Sequence, residues 1–380
     1  MNLHVTNDTY GLYPLEIAKR IKESGLEDNN LMVNLSLEST FKDDIITYIS
    51  ISNSSFENYV EKIDDLNKII FHPYRYDGCR FLKIVKKRFP QVKVYWAIWS
   101  FELYNLPPLP PEYYGPFSKR YVKRSMLFPE RIKELKIIGN LILQFCYLTG
   151  IKRNYIKELK QSYSQINFFC SLLPSDFSYF QKVSSNQKTK YLPFAYLSLE
   201  EIMPGLDNFN SMGNKIMVGH SSSPAGNHFE ILERLYQINP IFSIFLPMAY
   251  GKEDYGDLIE AEARKMFPNA DIQRKKLDKT LYYKKLTEVG WSIINVRVQQ
   301  GLGNIIALIW MGVKVFLDED SSTFKDFTEW GIVVFSVQHN LNINELSNRL
   351  TDSQIKNNKK IIQEKCNEET VKKYWSNILT

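Results

Sequence analysis

Short apolar runs alternate with stretches of helical periodicity along the first 180 residues. The segments EIAKRIKESG and FENYVEKIDDLN have helical apolar spacing, and further helical patterns follow at 129–148 and 151–162. The apolar runs among them are predicted as strands: 3–7, 31–36, 45–50, 69–73 and 92–99, and residues 164–177 as a last strand and turn. Strands that alternate with helices favour a parallel sheet covered by helices on both faces. The pattern therefore predicts an α/β domain over residues 1–180.

The same alternation returns in the second half of the chain. The strands predicted there are 215–220, 241–248, 270–275, 291–296, 313–319 and 332–337. They predict a second α/β domain over residues 197–350. The polar, Pro-containing stretch 181–196 is predicted as a linker, and residues 351–380 as a helix able to cross back to the first domain. Two Rossmann-like domains with a cleft between them and a long C-terminal helix form a GT-B fold, which is the fold class that we predict.

Charge is distributed unevenly along the chain. The 48 Lys and Arg exceed the 42 Asp and Glu, which gives a formal net charge of +6, and the excess lies in residues 66–190. Such a region fits nucleic acid, an anionic membrane surface or a phosphorylated substrate, and also a solvated face with no partner. Residues 118–136, SKRYVKRSMLFPERIKELK, mix basic with apolar and aromatic residues, which favours an anionic membrane surface. No nucleic-acid-binding module is recognisable, so nucleic acid is not expected as a partner.

The cysteines and the apolar runs exclude several classes of protein. Cys79, Cys146, Cys170 and Cys366 are scattered and form no CxxC pair, so neither a disulfide framework nor a zinc site is expected. The first residues do not have the pattern of a signal peptide, and the longest apolar run, 137–148, is too short and too polar to span a bilayer. We therefore expect a chain with reduced thiols that works in the cytosol.

The first candidate binding site lies between the strand at 215–220 and the helix that follows it. Small residues at the turn allow a phosphate to approach the backbone. Asn227 is predicted as the N-cap of the helix, with Glu230 completing a capping box. The candidate ligand positions are Gly219, Ser221, Ser222, Asn227 and His228. A capped helix behind a small polar loop is the alternative.

A second strand-to-helix turn, within residues 295–317, has the same features. Arg297 offers a planar fork for phosphate, and the glycines permit close approach of a ligand. The candidate positions are Arg297, Gln299, Gln300, Gly301, Gly303 and Asn304. The alternative is a small-residue turn that packs a helix on the sheet.

Two shorter features complete the predicted donor site. Tyr250 and Gly251 follow the strand at 241–248, where an aromatic ring can stack on a base or ribose, although such a residue is more often part of the core. The sequence DED at 318–320 matches a metal-binding DxD motif, but short acidic matches arise often by chance. We expect no metal and no cofactor, and expect residues 318–322 to close over the donor.

Several of these stretches resemble one known family. VGHSSSPAGNHFEILERL, LPMAYG and VRVQQGLGNIIALIWMGVKVFLDED are similar to motifs of the bacterial 4-alpha-L-fucosyltransferase family, glycosyltransferase family 56, and VYWAIWSFELYNL resembles its Trp-containing strand and acidic turn. The resemblance implies a GT-B fold, a dTDP-sugar donor and a polyprenyl-diphosphate-linked glycan as acceptor. It also implies peripheral attachment to the cytoplasmic face of the bacterial inner membrane. The donor positions that it carries over are Gly219, Ser221, Asn227, His228, Tyr250, Gln299, Gln300, Gly301 and Gly303. The serine-rich loop and the Phe101-Glu102 pair depart from the family pattern and leave the donor sugar open.

Sugar transfer from a nucleotide diphosphate needs a stabilised leaving diphosphate and a base for the acceptor hydroxyl. Glu102, just past a predicted strand, is our first candidate for the base, with Asp8, His72 and Asp77 as rivals. The sequence thus predicts transfer of a deoxy(amino)hexose to a lipid-linked glycan in surface polysaccharide synthesis. A non-catalytic nucleotide-sugar-binding protein and a sugar-nucleotide epimerase of the same fold are the alternatives.

Overall fold

The computed structural model describes residues 1–8, 12–104, 113–127, 151–184, 186–205 and 208–380. These residues form two compact units. Unit 1 contains the described residues of 1–107, 139–197 and 369–380, and unit 2 those of 108–138 and 198–368. The helical pattern predicted at 129–148 lies outside the described residues, as does the part of the basic segment beyond residue 127.

Unit 1 is built on a seven-stranded sheet in which every pair of neighbouring strands is parallel. Its strands are β1 (Asn2–Thr6), β2 (Asn30–Asn34), β3 (Ile46–Tyr48), β4 (Lys68–His72), β5 (Lys93–Ala97), β6 (Phe168–Ser171) and β7 (Lys190–Pro193). The order across the sheet is β3-β2-β1-β4-β5-β6-β7. The helices between them are α1 (Leu12–Ser24), α2 (Asn53–Val60), α3 (Tyr76–Arg88), α4 (Phe101–Tyr104), α5 (Pro116–Leu127), α6 (Ile151–Ser162) and α7 (Pro174–Ser184), of which α5 belongs to unit 2.

Unit 2 repeats this plan with a six-stranded parallel sheet. Its strands are β8 (Lys215–Val218), β9 (Ile244–Pro247), β10 (Asp271–Gln273), β11 (Val289–Ile294), β12 (Lys314–Leu317) and β13 (Phe335–Ser336). The order is β10-β9-β8-β11-β12-β13. Its remaining helices are α8 (Leu199–Ile202), α9 (His228–Ile238), α10 (Glu253–Met266), α11 (Lys279–Leu286), α12 (Leu302–Trp310), α13 (Ser322–Glu329), α14 (Val337–Asn340), α15 (Ile343–Ser347) and α16 (Asp352–Cys366).

The cores explain why apolar runs predicted these strands correctly. Helices cover both faces of a parallel sheet, so successive strand residues are buried rather than alternating with polar ones. In unit 1, Leu3, Ile70 and Trp96 are fully buried, and Val218 and Ile293 are equally buried in unit 2. All eleven predicted strands are confirmed, as is the strand predicted within 164–177, which is β6; β7 adds to them.

The predicted domain boundaries differ from the structure in two places. The stretch predicted as a linker contains β7, which pairs with β6 at the edge of the unit 1 sheet. The C-terminal helical region is present as α16 followed by α17 (Glu368–Leu379), with a break at Asn367 in extended conformation. Residues 369–380 belong to unit 1, where Trp375 and Ile378 are buried in its core.

Two further observations concern chemistry and location. Cys79, Cys170 and Cys366, the cysteines among the described residues, are buried free thiols. Within the described ranges, no helix has both the length and the apolar character that crossing a bilayer requires.

Candidate functional site

Each sheet contains one point where the strand order reverses its direction. In unit 1 this point lies between β1 and β4, and in unit 2 between β8 and β11. Connections leave to opposite sides there, which opens a crevice at the carboxyl ends of the strands, where open α/β sheets bind their ligands. The predicted donor loops follow β8 and β11, and the structure therefore brings them together at this point of unit 2.

The loop after β8 is fixed to the loop after β9. Ser222 donates its backbone N–H to the Tyr250 carbonyl at 2.7 Å and its hydroxyl to the same oxygen at 2.8 Å. Gly251 has a φ of 117°, and a Cβ there would lie 2.8 Å from the Ser222 carbonyl carbon. Ser222 and Gly251 thus hold two loops in place, while Ser221 is buried and Tyr250 is 58% exposed, which excludes Tyr250 from the core.

The predicted capping box at the start of α9 is wrong. Asn227 adopts a left-handed conformation, with a φ of 49°, and its side chain makes no cap contact with the helix. It accepts instead from the Gly115 N–H at 2.8 Å and donates to the carbonyls of Tyr113 at 3.2 Å and Asn295 at 3.0 Å. Asn227 therefore ties together the two loops of the crevice and the segment that leads into α5.

Glu230 also binds the segment that leads into α5. Its Oε1 accepts from the backbone N–H groups of Phe117 and Ser118, both at 3.0 Å, and its Oε2 accepts from the Ser118 hydroxyl at 3.0 Å. These N–H groups belong to the first turn of α5, which has no intrahelical acceptor for them. The Phe117 and Phe229 rings stack with centroids 4.0 Å apart. Glu230 consequently caps α5 rather than its own helix.

Two buried histidines lie at the crevice, and both are neutral. Burial lowers the pKa of His220 to about 4 and that of His228 to about 3. Among the described residues, His220 Nδ1 and His228 Nε2 are buried and have no hydrogen-bond partner. A Cβ on Gly219 would lie 2.1 Å from His228 Nε2, and a Cβ on Gly301 would lie 2.8 Å from the His220 ring. The two imidazoles thus occupy the space that a side chain at Gly219 or Gly301 would need. A ligand with acceptor atoms at this turn would satisfy both nitrogens.

The loop after β11 gives a mixed result for the predicted phosphate contacts. Arg297 Nε lies 3.2 Å from the buried Asp318 carboxylate and 3.9 Å from Asp320, so much of its charge is already compensated. This pairing gives the DED sequence a role in holding Arg297. The described residues contain no group of three or more His, Cys, Asp and Glu that could hold a metal ion.

The other residues of this loop remain near the crevice. Gly301 has a φ of 68° and begins α12 in a left-handed conformation that favours glycine. Gly303 lies in open space, with the Ile202 side chain as its nearest neighbour at 4.0 Å. Gln299, Gln300 and Asn304 are half-buried.

The switch point of unit 1 holds three of the predicted catalytic candidates. His72 is completely buried, with Nε2 3.1 Å from His4 Nδ1 and Nδ1 2.7 Å from the Tyr196 hydroxyl, and burial keeps its pKa well below the usual value. It is therefore an internal residue, although it ends a strand. Asp77 pairs with Arg80 in the first turn of α3, and Asp8 exchanges backbone hydrogen bonds with the Asn34 side chain.

Glu102 occupies a more unusual position after β5. It is 7% exposed, and Oε1 accepts from Trp96 Nε1 at 3.0 Å and from the Trp99 N–H at 2.8 Å. Oε2 is buried without a hydrogen-bond partner among the described residues. Burial raises the pKa of Glu102 to about 7, while its hydrogen bonds and the Arg75 charge oppose that rise. Ser100, just before α4, has a φ of 85°, a strained conformation of the kind that clusters at functional sites.

Residues that sequence reasoning did not single out complete both sites. In unit 1 the Trp99 ring stacks on Tyr13 with centroids 4.4 Å apart, and Arg75 lies close enough to influence Glu102. In unit 2, His220 stands next to the predicted Gly219 and Ser221. Their positions were the usable signal, because Arg75 lies two residues after a predicted strand, and Trp99 and His220 are the last residues of predicted strands.

Comparison with known proteins identifies the fold and the family. The Anabaena protein HepE in complex with UDP has a TM-score of 0.64 at 10% sequence identity, covering 100% of this chain and 99% of that chain. Sucrose-phosphate synthase from Thermosynechococcus elongatus has a TM-score of 0.62 at 10% identity, covering 100% and 98%. The alpha,alpha-trehalose 6-phosphate synthase from Burkholderia multivorans has a TM-score of 0.61 at 9% identity, covering 100% and 96%. At these identities the likeness shows the fold alone, and that fold is GT-B.

No curated protein matches the chain. The family described as 4-alpha-L-fucosyltransferase, glycosyl transferase group 56, matches residues 160–379. This match includes α9, α12 and both loops of the unit 2 crevice, and it spans more than half of the chain. The chain therefore belongs to the 4-alpha-L-fucosyltransferase family, glycosyl transferase group 56, and is a glycosyltransferase.

Proposed function

We propose that this glycosyltransferase moves a deoxy(amino)hexose from a dTDP-linked donor to a polyprenyl-diphosphate-linked glycan in surface polysaccharide synthesis. The observation that carries the donor half is the pair of buried, unpartnered imidazole nitrogens at the switch point of unit 2. A buried polar atom without a partner is costly, so a protein that retains two of them beside small residues favours a ligand there.

The charge state of the histidines suits a diphosphate. A neutral imidazole carries one N–H and one lone pair, and His228 Nδ1 lies 3.4 Å from the Tyr255 hydroxyl. If that hydroxyl donates, the His228 proton resides on Nε2, which packs against Gly219. His220 and His228 then donate hydrogen bonds to oxygens of the departing diphosphate. The N–H groups of the glycine-containing loops supply the remaining stabilisation.

Glu102 is proposed to accept the proton of the acceptor hydroxyl. Its pKa of about 7 lies close to neutral pH, which suits a group that must take up a proton during turnover. Trp96 and Trp99 fix Oε1, so Oε2 is the oxygen that is free for this task. Asp8 and Asp77 are the other carboxylates at this edge of the sheet, whereas His72 is enclosed.

The membrane surface is proposed to contact α5 and the basic segment that follows it. Lys119, Arg120 and Lys123 lie on this helix, and Glu230 fixes its first turn. Basic residues near an anionic surface contribute about 1 kcal/mol each. This contact would place the enzyme at the cytoplasmic face of the bacterial inner membrane, where a lipid-linked acceptor resides.

The direct test uses radiolabelled dTDP-sugars and a polyprenyl-diphosphate glycan in vesicles that contain anionic lipid. We expect label in the lipid extract, and loss of that label with Glu102→Gln at unchanged affinity for dTDP. Full activity of Glu102→Gln would remove Glu102 as the base. Conversion of the donor to another sugar nucleotide in the absence of acceptor would favour an epimerase instead.

A further inference from the structure

The ends of β9 and β10 form a second group of ligand-type residues in unit 2. Met248, just after β9, donates its N–H to the Gln273 carbonyl at 2.9 Å, so the two strand ends lie side by side. Two residues later the Tyr250 ring is exposed, while its backbone is fixed by Ser222. An exposed aromatic ring on a rigid backbone presents a flat surface for stacking.

Gln273 is the last residue of β10, and its amide is only partly satisfied. The side chain is 8% exposed, its Nε2 donates to the Lys275 carbonyl at 3.4 Å, and its Oε1 is buried with no hydrogen-bond partner among the described residues. A buried acceptor of this kind calls for a donor from outside the protein. An N–H group of a ligand is one partner that this oxygen can accept from.

The direction of the Gln273 side chain follows from its neighbours in β10. Asp271, two residues earlier, bonds to Lys285 of α11 at 2.8 Å. Alternate residues of a strand share a face, so Gln273 lies on the face of the sheet that α11 covers. Met248 joins the end of β9 to Gln273, so Tyr250 and Gln273 follow adjacent strand ends at the carboxyl edge of the sheet.

We infer that this position is the nucleobase subsite of the donor site, where Gln273 Oε1 accepts the N3–H of thymine or uracil and Tyr250 stacks on the ring. The inference rests on the proposed function for the diphosphate position. Neighbouring strands lie about 4.8 Å apart, so β10 is roughly 10 Å from β8 across the sheet. A nucleoside spans this distance between its diphosphate and the far edge of its base.

Gln273 Oε1 can only accept a hydrogen bond, and this property discriminates between nucleobases. Thymine and uracil present a ring N–H between two carbonyls, whereas cytosine presents an unprotonated ring nitrogen at the same place. Two facing acceptors cannot form a hydrogen bond, and a buried unmatched pair strongly disfavours the wrong ligand. The subsite is thus specific for dTDP or UDP over CDP.

Calorimetry separates this subsite from the diphosphate position. Wild-type protein is titrated with dTDP, CDP, N3-methyl-dTDP and inorganic pyrophosphate. We expect dTDP to bind at least tenfold more tightly than CDP and the N3-methyl analogue. In Gln273→Met, which preserves side-chain volume, the advantage of dTDP over the N3-methyl analogue is expected to fall below threefold, and pyrophosphate affinity to stay the same. Tyr250→Ala should weaken every nucleoside diphosphate about tenfold and leave pyrophosphate unchanged.

Tyr236→Ala, an exposed tyrosine on α9, is the matched control and should alter none of these affinities. Equal loss of dTDP and pyrophosphate binding in Gln273→Met would overturn the subsite, as would CDP binding as tightly as dTDP. If nucleoside diphosphates bind with the expected preference but no nucleotide sugar supports transfer, the subsite is supported and the proposed function is overturned. If no nucleoside diphosphate binds, both fail.

Discussion

Each unit buries two histidines near the point where its strand order reverses, and the two pairs differ in what their nitrogens contact. His4 and His72 in unit 1 have hydrogen-bond partners for all four ring nitrogens. His220 and His228 in unit 2 each have a nitrogen without one. Burial keeps all four neutral. The difference separates a structural pair from a pair that is available to a ligand, which burial alone does not reveal.

The proton positions in the His4–His72 pair, called the closed pair because all its nitrogens have partners, can be derived from Asn30. Its Oδ1 accepts from Asn2 Nδ2 and lies 3.1 Å from His4 Nε2, so His4 carries its proton on Nε2. His4 Nδ1 is then an acceptor for the Nε2–H of His72, and His72 Nδ1 lies 2.7 Å from the Tyr196 hydroxyl, whose proton also faces the Ala97 carbonyl at 3.1 Å. The chain of bonds ends without a spare donor or acceptor on either ring, so no ligand is needed to complete it.

Removal of His72 should give the largest effect on stability. His72→Ala leaves a cavity beside Trp375 and an unpaired nitrogen on His4, and we expect a loss of about 3 kcal/mol in the free energy of unfolding. Denaturant unfolding measures this loss. Affinity for dTDP, which unit 2 is proposed to bind, should not change.

The matched variant in unit 2 is His220→Ala, for which the expectation is reversed. Its removal deletes an unsatisfied buried nitrogen, so stability should change little while affinity for dTDP falls about tenfold. A large loss of stability in His220→Ala with intact dTDP binding would end the distinction between the two pairs.

The second prediction places a methyl group in the space that the His228 ring now occupies. A Cβ in Gly219→Ala would lie 2.1 Å from His228 Nε2 at a φ of 70°, and we expect donor-dependent kcat/KM to fall about 100-fold, which corresponds to about 2.7 kcal/mol. Steady-state kinetics at varied donor concentration measure the effect. Gly25→Ala is the control for backbone strain, because Gly25 also has a positive φ, of 63°, but a Cβ there meets nothing within 4 Å. Equal activity of both variants would contradict the proposed role of the space.

The strands and the meeting of the two donor loops were predictable, because a buried parallel sheet has a local signature. Continuous apolar runs predicted β8 and β11, and adjacent parallel strands bring the turns after them to one edge. The same reasoning placed His72 at an edge. It failed there because Tyr196, more than 120 residues later in the chain, covers the ring.

The capping box failed for a similar reason. Asn227 and Glu230 have the required spacing, but this spacing considers only partners that are near in sequence, namely the first N–H groups of α9. The segment 113–118 competes from more than 100 residues away and offers N–H groups that need the same oxygens. The positive φ of Asn227, shared among described non-glycine residues only with Ser100, likewise depends on this tertiary contact.

A fall in pH should reduce the stability of the protein through His4 of the closed pair. Burial lowers the pKa of His4 to about 4, below the value of about 6.5 in the unfolded chain. The unfolded chain therefore binds more protons below pH 6.5, and the stability that neutral His4 contributes is present above that pH and lost as the pH falls towards 4. Between pH 7 and pH 5.5 this loss amounts to about 1 kcal/mol. Denaturant unfolding of wild type and His4→Gln across this range measures it. The variant should lose less stability, and an identical pH dependence would show that His4 does not titrate in this way.

The smallest expected effect tests what keeps the unit 2 pair in position. His228 lies in the first turn of α9, and that turn is held by Asn227 and Glu230 through the start of α5 rather than by its own cap. Glu230→Gln retains one acceptor oxygen but loses the charge at the α5 N-terminus, so the unfolding free energy should fall by about 0.5–1 kcal/mol. Faster hydrogen exchange at the Phe117 and Ser118 amides is the specific readout. Glu233→Gln, on the same helix, should leave those amides unchanged. If exchange increases instead throughout the sheet of unit 2, Glu230 supports the whole unit, and the open histidines do not depend on α5.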